Sequence, residues 1–189
     1  MEIYGEYQSI DSDQSLEQLN LSFNPSSIPL KQRWRNNGLS ADFLGDYVKT
    51  FFPKDESDPT TEYKQAEIKS NVSYIANELL ENSMKYSSLN SHAMISIAVY
   101  LMPEQIIIQG INEGSEQQWS NLLKIINELQ ENDPADLFVQ RMEQDALGET
   151  SSGLGLITMI NDYDADLSWK VNTMHSGDKL ITTQVKISI

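Results

Sequence analysis

Two segments of this chain carry polar residues at spacings that suit phosphate chemistry. The first is Asn77-Glu78-Leu79-Leu80-Glu81-Asn82-Ser83-Met84-Lys85-Tyr86-Ser87. On a helix, residues four apart share a face, so Glu78 and Asn82 point the same way and Glu81 and Lys85 form a second pair beside them. The apolar stripe of Ile75, Leu79 and Ser83 puts Glu78 and Asn82 at its edge, where a cleft wall can form. An amide oxygen at Asn82 suits a Mg²⁺ ion bound to a triphosphate, and the Glu78 carboxylate suits the orienting or deprotonating of a nucleophile. A solvated helix face with one ion pair has the same spacing. The second segment is Gly148-Glu149-Thr150-Ser151-Ser152-Gly153-Leu154-Gly155-Leu156-Ile157. Its paired glycines let the backbone approach an anion, and the helix they open offers unpaired N–H groups and a positive dipole end. Thr150, Ser151 and Ser152 add hydroxyl donors. A lone Gly-x-Gly is equally an ordinary turn with a serine cap.

The elements that must position these segments follow from periodicity. Ile68, Val72, Ile75 and Leu79 recur at steps of four, three and four, which predicts a long helix over about 61–86. Strands are predicted at 95–100 and 106–110, then a loop in the run NEGSEQQ (112–118). Helices follow at about 118–132, 134–147 and 153–162, and strands at 167–172 and 179–189. Ahead of the long helix, residues 1–17 read as a loose polar start, and Leu19, Leu21 and Phe23 alternate as a short strand. Leu30 and Trp34 stand one helical turn apart. Leu39, Phe43, Leu44, Val48, Phe51 and Phe52 form a second helical pattern capped by Ser40 and stopped by Pro53. Turn-formers and charges at 53–60 read as a linker. The expected organisation is an N-terminal region over 1–60 and a domain over 61–189. The expected fold is a two-layer α/β sandwich, with helices over a mixed or antiparallel sheet and an N-terminal extension. The glycine turn of dinucleotide folds and the G-x-x-x-x-G-K-[ST] phosphate loop are absent.

The order of the two motifs, with two strands, an N-x-G segment and an intervening helical region between them, resembles the GHKL ATPase superfamily. That superfamily includes sensor histidine kinases, anti-sigma-factor serine kinases and gyrase B. Its N box would be 78–87 and its second glycine box 148–156, and the resemblance covers about 61–189. It implies a site for ATP or ADP with Mg²⁺. Glu78 would be the base or water-orienting carboxylate, Asn82 the metal ligand, and Lys85 a phosphate-facing cation, with Tyr86 beside it. Gly153, Leu154 and Gly155, with Ser151 and Ser152, would frame the triphosphate. Thr182 or Thr183 would stand near the adenine, although the family's Gly-Thr pair is missing. The first glycine box departs from the family's Asp-x-Gly-x-Gly. Here it reads Asn112-Glu113-Gly114, with Glu116 in place of the second glycine. A neutral amide accepts the adenine amine without charge assistance, a loss of about 1–2 kcal/mol.

The short format looks like an anti-sigma-factor type of regulator. The resemblance implies nucleotide-dependent docking of a signalling partner, or Mg–ATP-dependent serine/threonine kinase activity on a STAS-domain antagonist. A receiver-type protein and a sigma factor are the other partner classes. The formal charge of −15 on 189 residues repels nucleic acid and anionic membrane surface. With no cysteine there are no disulfides and no thiolate metal sites. No apolar run is long enough to span a membrane, and the polar start lacks the pattern of a secretory signal, so the expected location is the cytoplasm. His92 and His175 read as exposed turn residues. Trp34, Phe43, Tyr47, Phe51 and Phe52 are too apolar to stay in water and suggest a docking surface or a homodimer arm.

Overall fold

The computed structural model describes residues 1–10, 15–24, 30–87, 94–146 and 153–189. Among them the chain runs β1 (Glu2–Tyr4), β2 (Glu17–Phe23), α1 (Leu30–Val48), a 3-10 turn (Lys49–Phe51), α2 (Pro59–Lys85), β3 (Ile95–Leu101) and β4 (Gln105–Gly114). It continues through α3 (Glu116–Glu131), α4 (Pro134–Ala146), α5 (Leu154–Tyr163), β5 (Asp166–Thr173) and β6 (Lys179–Ser188). The strands form one sheet in the order β1-β5-β6-β4-β3-β2, every neighbouring pair antiparallel. The architecture is a two-layer α/β sandwich.

α2 is the helix that carries the first motif. Asp58 caps it by accepting from the Thr60 N–H at 3.0 Å, and Pro59 fills the first turn, where no N–H is needed. Its predicted stripe is the one that is buried: Ile68, Val72, Ile75, Ala76, Leu79, Leu80 and Ser83 face the sheet. Each fully buried Ile or Leu there stabilises the fold by about 1.5–3 kcal/mol. Gly110 lets β4 lie close beneath α2, since a Cβ there would sit 3.4 Å from both Leu79 Cβ and Ser83 Oγ. α1 packs on the flank of α2 through Ala41, Leu44, Gly45 and Val48. A Cβ at Gly45 would lie 2.7 Å from the Lys69 carbonyl oxygen, so only glycine allows this approach.

Two local expectations are corrected. Ser40 caps nothing, because α1 is one helix running through it; packing on α2 along one face outweighs the local cap signal. The run from Asn112 to Gln118 is not a loop. Asn112 to Gly114 stay in β4, held opposite Ile181 to Lys179, and Ser115 starts α3 directly with a reciprocal capping box to Gln118.

β3 and β4 are apolar on the α2 face, and on the other face Ala98, Ile107 and Gln109 are buried as well. The face away from α2 is crossed by the N-terminal segment. Buried Gln184 accepts from the Gln8 N–H at 2.9 Å and returns a bond to the Gln8 carbonyl at 2.9 Å, while Ser168 donates to it at 3.3 Å. Gln109 donates to the Tyr7 hydroxyl at 3.2 Å, and Lys170 lies over the Tyr7 ring. Gln184→Ala should therefore cost about 2–4 kcal/mol in urea unfolding, leaving both Gln8 backbone groups unpaired. It should also make the bond after Tyr7 newly sensitive to protease. Unchanged stability would mean that the segment is held elsewhere.

Candidate functional site

The two motifs meet. Glu78 and Asn82 lie half-buried on one side of α2. The Glu78 carboxylate rests directly on the backbone of Gly155 in the first turn of α5: a Cβ at position 155 would fall 1.9 Å from Glu78 Oε2. Gly155 is thus required by the carboxylate it faces. Gly153 is required twice over. It caps α5 at φ 96°, in the left-handed region, and a Cβ there would lie 2.8 Å from Ile125 Cγ2 of α3. Leu154 between them is half-buried. Ser151 and Ser152 lie outside the described residues.

Glu78 sits in an environment that disfavours its charge. Burial, and secondarily the neighbouring Glu81 carboxylate, push its pKa above the usual carboxylate range. The Glu81 carboxylate takes the Asn77 amide at 2.8 Å, and Lys85 Nζ lies 5.5 Å from the Tyr86 ring centroid. Lys85 is exposed, whereas Tyr86 is only 6% exposed and packs in the core.

Three residues that periodicity did not single out complete the wall. Tyr74, one turn before Glu78, stacks on Tyr163 at 4.8 Å and 15° and bonds to the Thr158 hydroxyl. The pair clamps α5 to α2 next to the Glu78–Gly155 contact. Burial first, and then the Glu78 charge, push the Tyr74 phenol up to about 12, with the Thr158 bond pulling the other way. Tyr74 falls four residues before Glu78, so the same i,i+4 rule that paired Glu78 with Asn82 places it on that face.

The segment Asn112 to Gly114, expected as a first glycine box, lies at the C-terminal end of α2. Asn112, 4% exposed, donates its Nδ2 to the Tyr86 carbonyl at 3.2 Å, and Gly114 leaves room for that carbonyl, which would lie 2.5 Å from a Cβ. Gln118 donates to the next carbonyl, that of Ser87, at 2.6 Å. These bonds satisfy the helix-end acceptors that have no partner within α2. They also fix the orientation of the Asn112 amide. Glu116 starts α3 and pairs with Lys179 at 3.0 Å. Thr183 lies opposite Gly110 in the β4–β6 pair, hence on the α2 side of the sheet, half-buried; Thr182, on the other face, is 5% exposed.

Asn112→Asp should therefore lower stability, by about 1–3 kcal/mol in denaturant unfolding, because it removes a buried donor and sets a carboxylate against a carbonyl oxygen. It should not tighten adenine nucleotide. A gain in nucleotide affinity at unchanged stability would show that the amide is free to face the base.

No family model and no curated protein matches this sequence. The solved structures do contain a similar fold: a chain in the crystal structure of the SiaB–SiaC complex from Pseudomonas aeruginosa. It superimposes with a TM-score of 0.58 at 16% identity, over 93% of this chain and 91% of that one. At this identity what the likeness establishes is the fold.

Proposed function

We propose that this chain is a regulatory ATP-binding protein of the GHKL type that docks a signalling partner in a nucleotide-dependent way. One observation supports the reading: the Glu78 carboxylate lies on Gly155, so the two segments read as an N box and a glycine box are neighbours. The residues present fit a Mg-nucleotide. Asn82 offers an amide oxygen to the metal, Lys85 reaches outward as a cation for phosphate, and the α5 start at Gly153 to Gly155 offers side-chain-free backbone to an anion. Asn112, Gly114 and Thr183 line the base side. ATP or ADP would supply the phosphates that complete the shell of the Mg²⁺ ion. The chain's own part is to grip them between α2 and α5 and to convert that grip into a change at the partner surface. That the similar solved chain was crystallised in a two-protein complex supports a protein partner. A STAS-domain antagonist is the partner class proposed, ahead of a receiver-type protein or a sigma factor.

A second reading has its own observation. The raised pKa of Glu78 suits a general base, which works best when its pKa is lifted towards the operating pH. In a serine/threonine kinase Glu78 would take the proton from the partner's hydroxyl, with ATP as the phosphoryl donor. Both readings are tested by measuring affinity for a STAS-domain protein with and without Mg–ATP, while following label transfer from ATP. Docking predicts an affinity change of about fivefold or more with no transfer, and kinase activity predicts labelled partner. Equal affinity in both conditions and no label would sink the two together.

A further inference from the structure

The helix layer holds a groove that neither motif uses. It encloses about 540 Å³ and is lined by α2 from Ala66 to Asn77, by Gly38, Ala41 and Asp42 of α1, and by Tyr163 of α5. That volume falls within the range of small-molecule pockets, about 300–1,000 Å³. Small side chains leave the space open. Ala66, Ser70 and Ser73 follow one another along α2 at steps of four and three, on the face that meets the groove. Across from them, a Cβ at Gly38 would meet nothing within 4 Å.

The lining favours a positive charge. Tyr74 and Tyr163 stack at 4.8 Å and 15°, and both line the groove. Burial first, and then the Asp162 and Glu78 carboxylates, hold both phenols above their ordinary pKa, so the rings stay neutral and lie in a negative field. Asp42 is exposed at the groove and makes no ion pair among the described residues, although its charge reaches Lys69. Lys69, the cation of the lining, is already held by Asp46 at 2.7 Å. The Ser73 hydroxyl is buried and, among the described residues, has no hydrogen-bond partner.

We infer that this groove binds a small organic cation, a guanidinium or primary ammonium group on a short carbon stem, with its charge between Asp42 and the Tyr74–Tyr163 rings. The Asp42 carboxylate accepts a charge-assisted hydrogen bond from the ligand, and the ring faces attract the same charge. The stem lies against Ala41 and Ala66, and a rotamer change lets the Ser73 hydroxyl accept from the ligand. An anion is disfavoured, because Lys69 is engaged and the chain as a whole carries −15.

The test is a titration of the full chain, without nucleotide, with n-butylguanidinium, n-butylammonium and the neutral isostere n-butylurea, followed by backbone amide NMR shifts. A cation should bind with a dissociation constant of about 1 mM or tighter and move the amides of Asp42, Ser70, Ser73 and Tyr163 together. Butylurea should bind at least about tenfold more weakly, since it keeps the shape and loses the charge. Asp42→Asn should weaken the cation by about tenfold. Gly38→Leu should fill the groove and abolish binding while raising the melting temperature, because the space is open and leucine is the better helix former. Circular dichroism checks that both variants fold. Equal affinity for butylurea overturns the inference, as do shifts spread evenly over the acidic surface or wild-type affinity in both variants. With no nucleotide present, failure here leaves the proposed ATP site untouched.

Discussion

Asn82→Ala should remove measurable Mg–ATP binding while leaving the fold intact. Asn82 stands on α2 on the same side as Glu78, half-buried, with its backbone carbonyl already used by the Tyr86 N–H at the helix end. The side-chain amide is therefore the part with no helical duty. Alanine is the best helix former, so stability should change by less than about 1 kcal/mol. Loss of a direct metal ligand should weaken Mg-nucleotide by about tenfold to a hundredfold or more, given that even outer-shell partners cost that much. Calorimetry and the nucleotide-induced thermal shift both read the effect, and every nucleotide-dependent change in partner affinity should disappear with it. Wild-type affinity in this variant would move the metal away from α2.

Glu78→Gln should behave differently. Its carboxylate touches Gly155; in the proposed reading it would serve the nucleophile rather than the nucleotide, so nucleotide affinity should be nearly unchanged. If the chain transfers phosphate, the rate should fall by about 10²–10⁴-fold, the usual scale for a lost general base. If it only docks, nucleotide-dependent partner affinity should persist. The raised pKa adds a stability signature. The native state holds the Glu78 proton to higher pH than the unfolded chain does, so between those two values it binds more protons and stability falls as pH rises. Above that window the ionised carboxylate is a net cost. Glu78→Gln should therefore be neutral or stabilising at neutral pH and lose that pH dependence. In a phosphoryl-transfer assay the wild-type rate should rise as pH passes upward through the lifted pKa. Destabilisation at neutral pH would show that the carboxylate is structural.

What was legible in the sequence was what a single element repeats. The stripe from Ile68 to Leu79 marks the buried face of α2, whose ends fall within about two residues of the prediction, and Leu19, Leu21 and Phe23 mark β2. The order of the two motifs brought Glu78 to Gly155 without any knowledge of the packing. Features made by distant segments were hidden. β1 has no alternation of its own and exists because it meets β5. Asn112 to Gly114 have turn-like composition, yet β6 is long enough to keep them extended. Tyr74, Thr158 and Tyr163 carry no joint signal until α5 lies on α2. The Asn112 amide serves the end of α2, a duty that only the meeting of β4 with that helix end creates.

The central claim is that α2 and α5 grip a Mg-nucleotide. The direct measurement is calorimetric titration of Mg–ATP into the full chain, repeated with Asn82→Ala. The wild type should bind in the tens to hundreds of micromolar, about −5 to −6 kcal/mol, and the variant should give no binding heat. Absence of heat and of any thermal shift for the wild type at millimolar nucleotide would contradict the account.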